Sequence, residues 1–483
     1  MKEFDVAIIG AGVSGASVAW QLSKYRLKTA LLEKCADVGF GVSKANSGIV
    51  HGGFHHSKST LKARLELQGN LMFEQLQYQL DFPFKRNGIL VVAFSEEEME
   101  TVRVLFRQGK ANGVRNLELC GRDRLLQLEP KLSPDVVGGF YVPNGGTIEP
   151  YRYVFALVEG AKKGGVELFT NFKVAESERE GEYWQIKSAD GETIRARYVV
   201  NAAGLYADEV SKIFGAEEFT ITPRKGEEYL LDRTSAAYPS KVVFPVPVKH
   251  SKGVLVIPTV DGTTMVGPTA EIVGDKEDHS TTAENRSAVF RQARRMVPAV
   301  SERDLITGFS GSRPVMEGND FYIAFSKKAE NLIQAAGIQS PGLTASPAIA
   351  GYICGLLREN GVRLEEKAQF ASMLEPPVQI RRQSAEEADR LHKEDPAWTN
   401  IICRCEKISE AEIVDAIRHG HTTLDGIKFY TRAGMGRCQG GFCSYKILKI
   451  IARETGMSLE EATKRGGNTG FISGHLGDMG KRG

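Results

Sequence analysis

The sequence lacks any run of about 18 consecutive apolar residues, so none of its helices is expected to span a bilayer. It is also nearly without net charge: 62 Lys and Arg stand against 60 Asp and Glu, leaving a formal +2. That balance supplies no strong field to attract nucleic acid or an anionic membrane. No internal repeat is evident, which argues against solenoids and propellers. The amino terminus, MKEFDVAIIG, enters a strand-like run with no signal-peptide pattern before it. A cytoplasmic protein is therefore expected, with any membrane association made through a partner. Cysteine is sparse over most of the chain. Cys35, Cys120 and Cys354 are scattered, whereas Cys403, Cys405, Cys438 and Cys443 fall within 41 residues. The odd total of 7 and the cytosolic reading argue against a disulfide framework.

What is present begins with a hydrophobic content of 42%, ample for a buried core, in 483 residues. That length suggests roughly two to four domains. Residues 4–9 (FDVAII) form an apolar run suited to a buried parallel strand. Gly10-Ala11-Gly12-Val13-Ser14-Gly15 follows, then a helical pattern from Ala16 to Lys24, then a second strand from Thr29 to Leu32 that ends at Glu33. The glycines at 10, 12 and 15 thus lie between a strand and a helix, in the setting that makes G-x-G-x-x-G a dinucleotide fingerprint. Gly10 allows the tight turn, Gly12 the approach of a pyrophosphate, and Gly15 close helix–strand packing. Phosphate charge would meet the helix N-terminus. Glu33 is placed to accept hydrogen bonds from a ribose 2′-hydroxyl, which disfavours NADP.

Further along, Gly88–Phe94, Gly138–Val142, Val166–Phe169 and Tyr198–Ala202 read as strands, and Tyr151–Gly164 as a helix. Trp184–Ser188 and Thr193–Arg197 flank Asp190-Gly191 as a hairpin. Residues 219–325 hold strand-like runs, among them Gly253–Pro258 and Thr263–Val266, expected to build a substrate-side sheet. Residues 376–398 are charged and proline-flanked, which suggests a linker or surface arm. Residues 399–465 form a small cysteine-bearing module, and 466–483 a Gly-rich, flexible tail.

Four segments together carry a family resemblance: the N-terminal fingerprint, KANSGIVHGGFHH (44–56), VVNAAGLYADEV (199–210) and AAGIQSPGLTASPAIA (335–350), with GSRP (311–314) ahead of the last. In this order they resemble the FAD-dependent D-amino-acid-oxidase superfamily. NAD enzymes of the Rossmann type resemble only the first segment. The resemblance implies an α/β fold: a Rossmann-type FAD-binding domain, a mixed-sheet substrate domain, and the small cysteine-rich module at the C-terminus. It places the oxidoreductase domain at 1–375, with FAD-binding segments near 4–56, 170–210 and 305–360 and the substrate-side sheet near 80–150 and 215–300. It implies FAD contacts at Gly10, Gly12, Val13, Ser14, Gly15, Glu33, Lys34, Asn46, Ser47, Gly48, Val174, Ala203, Gly204, Gly337, Gly342, Leu343 and Thr344. A flavin stays bound through turnover, so several separated segments enclosing it make physical sense.

The C-terminal spacing is Cys403-x-Cys405, 32 residues, then Cys438-x4-Cys443. Two thiolate pairs suit a [2Fe–2S] cluster, while C-x-C argues mildly against a zinc knuckle. Zinc remains open on spacing alone, because iron and zinc share thiolate ligands. The segment from Ile402 to Cys443 resembles a bacterioferritin-associated-ferredoxin-like domain, which implies a [2Fe–2S] cluster on those four cysteines. Ser409 and Glu412 have the spacing of a capping box.

Among superfamily members bearing such an extension, the chain resembles the catalytic subunits of anaerobic-type glycerol-3-phosphate dehydrogenases. It is similar also to L-2-hydroxyglutarate dehydrogenases, through Ser47-Gly48-x-x-His51-x-Gly53 and TPRKGEEYLL (222–231). Either substrate is an anionic secondary alcohol. His51 is the candidate base or hydroxyl-orienting group, since its titration range suits proton transfer near neutrality. Arg313 is the candidate anion clamp, because a planar guanidinium matches phosphate and carboxylate alike. His55 and His56 are weaker candidates, with a surface or structural role expected for at least one. Arg224, Lys225 and Lys249 are expected to add positive charge. The resemblance further implies a second flavoprotein or electron-acceptor subunit, in a hetero-oligomer. Oxidation of an amino or imino compound, and an electron-transfer subunit with no substrate of its own, remain open alternatives.

Overall fold

The computed structural model describes residues 1–247, 252–370 and 373–474. The chain divides into two compact units, one of Met1–Lys34 with Val38–Leu374 and the other of Glu375–Gly483 with Cys35–Asp37.

The first unit is built on two large sheets, with a small third sheet of Ile49–Val50, Gly146–Ile148 and Phe84–Lys85 among the described residues. Strand chemistry explains the first: Val6–Ile9, the inner end of Lys2–Ile9, and Thr29–Leu32 are wholly buried, as strands covered on both faces must be. Lys2–Ile9 lies between Thr29–Leu32 and Thr193–Asn201 and runs parallel to both. Glu167–Phe169 extends the parallel set on one side. The long strand Thr193–Asn201 changes neighbours along its length. Its first half pairs antiparallel with Tyr183–Ser188, the hairpin expected at Asp190-Gly191, and its last residues pair parallel with Leu332–Ala336. Helices Val13–Leu22 and Gly342–Glu359 pack chiefly against each other and bury small residues, including Gly15, Ala16, Ala19, Ala345 and Ala348.

The second sheet has nine strands among the described residues. Its strands come from two separate stretches, Ile89–Val142 and Thr222–Val315. They join where Val242–Pro245 runs parallel to Ile89–Ala93. The segment Leu305–Val315 therefore belongs to the substrate-side sheet, not to the FAD-side segment 305–360 in which the sequence grouped it. It pairs antiparallel with Thr222–Leu231 along the whole strand. The strand expected over Gly253–Pro258 starts at Leu255. The expectation of positive charge at Lys249 falls outside the described residues.

In the second unit, residues 376–398 carry a helix, Ala385–Glu394, capped by Ser384. The stretch expected as a linker thus has ordered structure of its own. Three further helices, Glu410–Arg418, Leu424–Thr431 and Ser444–Thr455, enclose an apolar core of Ile408, Ile413, Ile427, Ile447, Leu448 and Ile451. Ser409 and Glu412 form the expected capping box, each side chain meeting the other's backbone N–H. Part of the expected tail, up to residue 474, is described and includes a bridge between Thr463 and Gly470.

Candidate active site and metal centre

The turn Gly10–Gly15 has the shape its glycines imply. Gly10 has φ +102°, and a Cβ there would stand 2.6 Å from the Ala202 carbonyl oxygen. A Cβ on Gly15 would stand 1.9 Å from the Gly10 oxygen. Backbone, not a flexible side chain, fills both spaces, so neither position accepts alanine without movement. The helix that follows has Gly12 as its N-cap and no capping side chain there. Val13 N–H donates to Ser43 Oγ at 2.9 Å, and the remaining first-turn N–H groups, Ser14 and Gly15 included, are the ones a helix leaves for an anion. Glu33 is buried at the end of the second strand and accepts the Ala11 N–H at 2.8 Å, which fixes its carboxylate beside the turn. Lys34 lies under the Tyr206 ring, its Nζ 3.4 Å from the centroid and 3.5 Å from Glu277. Ala203 and Gly204 follow the strand end that abuts Gly10. Val174 is buried at the start of a strand in the apolar cluster around Phe172 and Trp184.

A cavity of about 560 Å³ opens from this region between the two sheets. Its wall includes Val13, Asn46, Ser47, Gly48, His51, Arg313, Gly342 and Leu343. Asn46 shapes the first of these loops: Nδ2 donates to the carbonyls of Val42 and Ser43, and Oδ1 accepts the Gly48 N–H at 2.9 Å. The helix Gly342–Glu359 begins at the wall with no side-chain cap, so its positive end faces the cavity. Thr344 is fully buried, and its hydroxyl accepts the His51 N–H at 2.9 Å while donating to the Ile49 carbonyl at 3.3 Å. It ties the strand Ile49–Val50 and the residue after it to the helix. Gly337, at φ +64°, closes the turn before that helix.

His51 is buried, with Phe244 edge-on to its ring and its carbonyl held by Asn70 Nδ2 at 2.7 Å. Its Nε2 faces Ser340 Oγ at 3.2 Å, and Lys252 Nζ donates to the same oxygen at 3.0 Å. Lys252 thereby takes one acceptor site of the Ser340 oxygen, and the hydroxyl proton is available to His51 Nε2 in the tautomer that leaves this nitrogen unprotonated. Burial holds the His51 pKa well below 6.5, and the positive charge of Lys252 deepens that shift. His51 is therefore neutral at physiological pH, with Nε2 on the Ser340 side of its ring. His55 and His56, for at least one of which a surface or structural role was expected, both line the cavity. Burial lowers them to about 3 and about 2, so neither carries charge.

Side chains alternate along Thr222–Leu231. Arg224, Gly226 and Glu228 face the cavity, and Lys225, Glu227 and Tyr229 face away. Lys225 consequently does not serve the site, as the sequence suggested: it is ion-paired with Asp278 at 2.7 Å on the opposite face. Arg224 Nη2 donates to Gln339 Oε1, and its buried Nε has no hydrogen-bond partner. Among the described residues, Arg313 donates only to the Thr269 carbonyl, at 3.2 and 3.4 Å. Burial brings its pKa down to about 10, with Glu228 opposing and Arg224 adding to the shift. Glu228 is hydrogen-bonded by Ser47 Oγ, and burial raises its pKa to about 7.

Sequence reasoning missed Glu228, Lys252 and Ser340. For Glu228 a signal existed: Arg224, Gly226 and Glu228 are spaced two apart, which on a strand means one face. Ser340 lies inside the segment read as flavin-proximal. Nothing in the residues around Lys252 marked it.

In the second unit the four cysteines fall into two pairs. Cys405 Sγ lies 3.7 Å from Cys438 Sγ, and the Cys403 thiol is hydrogen-bonded with Cys443. That bond and the Gly434 N–H, 3.5 Å from Cys403 Sγ, hold the Cys403 thiol below its ordinary value. A Cβ on Gly436 would stand 2.2 Å from Cys405 Cβ, so the chain approaches this thiol where only glycine fits. Two pairs of thiols with backbone N–H directed at sulfur fit a cluster of two irons, each taking two thiolates.

Comparison with known proteins settles the family. Residues 5–356 match the FAD dependent oxidoreductase family, and residues 401–453 match the BFD-like [2Fe-2S] binding domain. The chain belongs to the FAD dependent oxidoreductase family. It is 42% identical to a glycerol 3-phosphate dehydrogenase of Caloramator mitchellensis, over 95% of this chain and 96% of that one. It is 34% identical to a glycerol 3-phosphate oxidase of Mycoplasma genitalium, over 77% of this chain and 98% of that one. The solved structure of the dithionite-reduced L-alpha-glycerophosphate oxidase of Mycoplasma pneumoniae, with FAD bound, superposes with a TM-score of 0.75 at 30% identity. It covers 78% of this chain and 100% of that one. The cofactors of this member are accordingly FAD and a [2Fe–2S] cluster, and the zinc alternative falls. Among the described residues no helix is long and apolar enough to cross a membrane.

Proposed function

We propose that this protein is an FAD-dependent dehydrogenase that oxidises sn-glycerol 3-phosphate to dihydroxyacetone phosphate and passes the electrons to a partner protein. The observation that carries the reading is one cavity holding a neutral histidine and two arginines whose hydrogen bonds go to neutral oxygens. The Caloramator and Mycoplasma relatives, both described by glycerol 3-phosphate, support the choice of substrate. When bound, FAD takes a hydride at N5 and the [2Fe–2S] cluster relays electrons singly to an acceptor.

The chain's own residues do the rest. Gly10, Gly12, Val13, Ser14 and Gly15 receive the pyrophosphate, Glu33 the adenosine ribose, and Asn46–Gly48 with Gly342 and Leu343 border the flavin. Arg313 and Arg224 bind the phosphate and hold C2 in one orientation. His51 Nε2 accepts the C2 hydroxyl proton as the C2–H bond breaks and the C2–O bond becomes a carbonyl. Two electrons leave with the hydride and one proton goes to His51, so the step balances. An arriving phosphate dianion offsets the positive charge of Lys252 that depresses the His51 pKa, making the imidazole a stronger base only when substrate is present. Ser340, held by Lys252, keeps Nε2 oriented until the substrate hydroxyl replaces it. The partner is read as a second flavoprotein or other electron-acceptor subunit, and the protein as cytoplasmic.

The test is anaerobic. Purified protein is mixed in separate cuvettes with glycerol 3-phosphate, L-2-hydroxyglutarate and a panel of amino acids, and the flavin absorbance is followed. Bleaching by glycerol 3-phosphate is expected. Bleaching by L-2-hydroxyglutarate or an amino acid instead transfers the site to that substrate, and no bleaching at all leaves an electron-transfer subunit.

A further inference from the structure

The cysteine module carries a surface that the reaction itself does not use. From Arg432 to Arg453 the chain has Arg432, Arg437, Lys446, Lys449 and Arg453 and no Asp or Glu. Arg437, Lys446 and Lys449 are exposed, as are Arg404 and Lys407 on either side of Cys405. The one acid between Cys403 and Ser409, Glu406, is buried and bound by Arg432 at 2.9 Å and Arg381 at 3.5 Å. It contributes no negative charge to the outside. Cys405 itself is exposed, and its thiol is beside that of Cys438. The edge of the thiol set therefore reaches the surface within a field of one sign.

Two aromatic side chains stand in that field. Phe442, between the cluster cysteines, is 82% exposed, and Tyr445 is 51% exposed. The helix Ser444–Thr455 explains why Tyr445 points outward: Ile447, Leu448, Ile450 and Ile451 face the core, which turns Tyr445, Lys446 and Lys449 to solvent. Lys449 Nζ lies 4.7 Å from the Tyr445 ring centroid. An exposed phenylalanine costs solubility without stabilising the isolated module. Aromatic anchors inside a charged rim are the composition of protein interfaces.

We infer that this face, around Cys405, Phe442 and Tyr445, docks an acidic electron-accepting protein. The inference rests on the reading above that electrons leave through the cluster. Positive charge ringing the exposed thiols raises the encounter rate of an acidic partner and orients it with its redox group toward Cys405. An anionic membrane would be served by basic residues anywhere on the surface and gives no reason for them to surround the thiols.

The test uses the complete holoprotein and an acidic flavodoxin as probe, with association followed by calorimetry. Binding is expected at low salt and is expected to vanish near about 0.5 M NaCl, where screening acts within a few ångströms. The double variant Lys446→Glu, Lys449→Glu changes two solvent-facing positions and should weaken binding about tenfold or more, with cluster and flavin spectra unchanged. Phe442→Ala should weaken it at every salt concentration at which the unaltered protein binds. Salt-insensitive binding, or binding indifferent to charge reversal, overturns the inference. So does attachment to vesicles of phosphatidylserine and phosphatidylcholine with none to flavodoxin, which would make the face a membrane contact. Flavin bleaching by glycerol 3-phosphate is recorded on the same samples. Salt-sensitive docking without bleaching sinks the substrate reading and keeps the docking face, whereas bleaching without docking removes the face alone.

Discussion

Arg224 and Arg313 are register partners across two antiparallel strands, both reaching into one cavity, and the hydrogen bonds of both guanidiniums end on neutral oxygens. Like charges placed directly opposite destabilise a strand pair. Burial adds to the cost, as the lowered pKa of each shows. An anion between the two relieves both penalties. Arg224 carries the clearer mark of waiting for one, since its Nε is buried without a partner and its Nη2 is occupied by Gln339, a neutral amide that an anion can displace.

Replacing either arginine by methionine should therefore raise KM for glycerol 3-phosphate about 10- to 100-fold, the loss of one or two charge-assisted hydrogen bonds. The maximal rate of flavin reduction should fall much less. Arg313→Lys should recover only part of the affinity, because a point charge lacks the planar fork. Stopped-flow reduction across substrate concentrations separates the two constants. An Arg224→Met variant with unchanged KM removes Arg224 from the clamp.

His51 gives a prediction about pH. Its native-state pKa is depressed, so the neutral, proton-accepting form persists well below pH 6.5. The acid limb of kcat/KM, corrected for the second ionisation of the phosphate ester, should therefore lie below 6.5. A limb at 6.5 or above would mean that His51 is solvated. His51→Ala should slow flavin reduction about 10²- to 10⁴-fold while FAD stays bound. Unchanged reduction assigns the base elsewhere.

Glu228 yields a stability measurement. Its pKa is raised from 4.5 to about 7 by burial, so the native state prefers it protonated. Its contribution to stability is full below pH 4.5 and is lost as pH rises through 7. The accumulated cost above that range is about 3 kcal/mol. Glu228→Gln keeps an acceptor for Ser47 and removes the titration. The melting temperature of the variant should gain on the wild type between pH 5 and pH 8, and equal offsets at both pH values refute the assignment.

Much of the site was legible because its chemistry is local in sequence. A glycine turn between strand and helix, a capping box at Ser409 and Glu412, and four thiols in two pairs each declare themselves within a few residues. The parts that were misread depend on strand facing and on long-range approach. Arg224 and Lys225 look alike in the sequence, yet the alternation of a strand sends one to the cavity and the other to Asp278. Ser340 and His51 are 289 residues apart and meet only because a helix start and a short strand converge. The hydroxyl of Thr344, in the segment expected beside the cofactor, bonds the backbone of Ile49 and His51, contacts that no local pattern announces.

The glycine turn supports a sharper test than its motif alone. A Cβ at Gly15 would meet the Gly10 carbonyl oxygen at 1.9 Å. That carbonyl sits in the turn proposed above to receive the pyrophosphate, so Gly15→Ala must displace the turn or the first helix. Gly351, in the helix Gly342–Glu359, is the control. It is exposed, and a Cβ there meets nothing within 4 Å. Gly351→Ala should stabilise that helix by about 1 kcal/mol, the usual difference in propensity. Gly15→Ala should be purified with little FAD, read from the ratio of visible to ultraviolet absorbance, while its cluster iron content stays at the wild-type value. Gly351→Ala should keep full flavin and melt at a higher temperature. If Gly15→Ala retains its flavin, the turn tolerates a shift that its backbone packing does not suggest, and the pyrophosphate is held mainly elsewhere. If both variants lose flavin, the loss reflects general damage to the first unit and not the geometry of the turn.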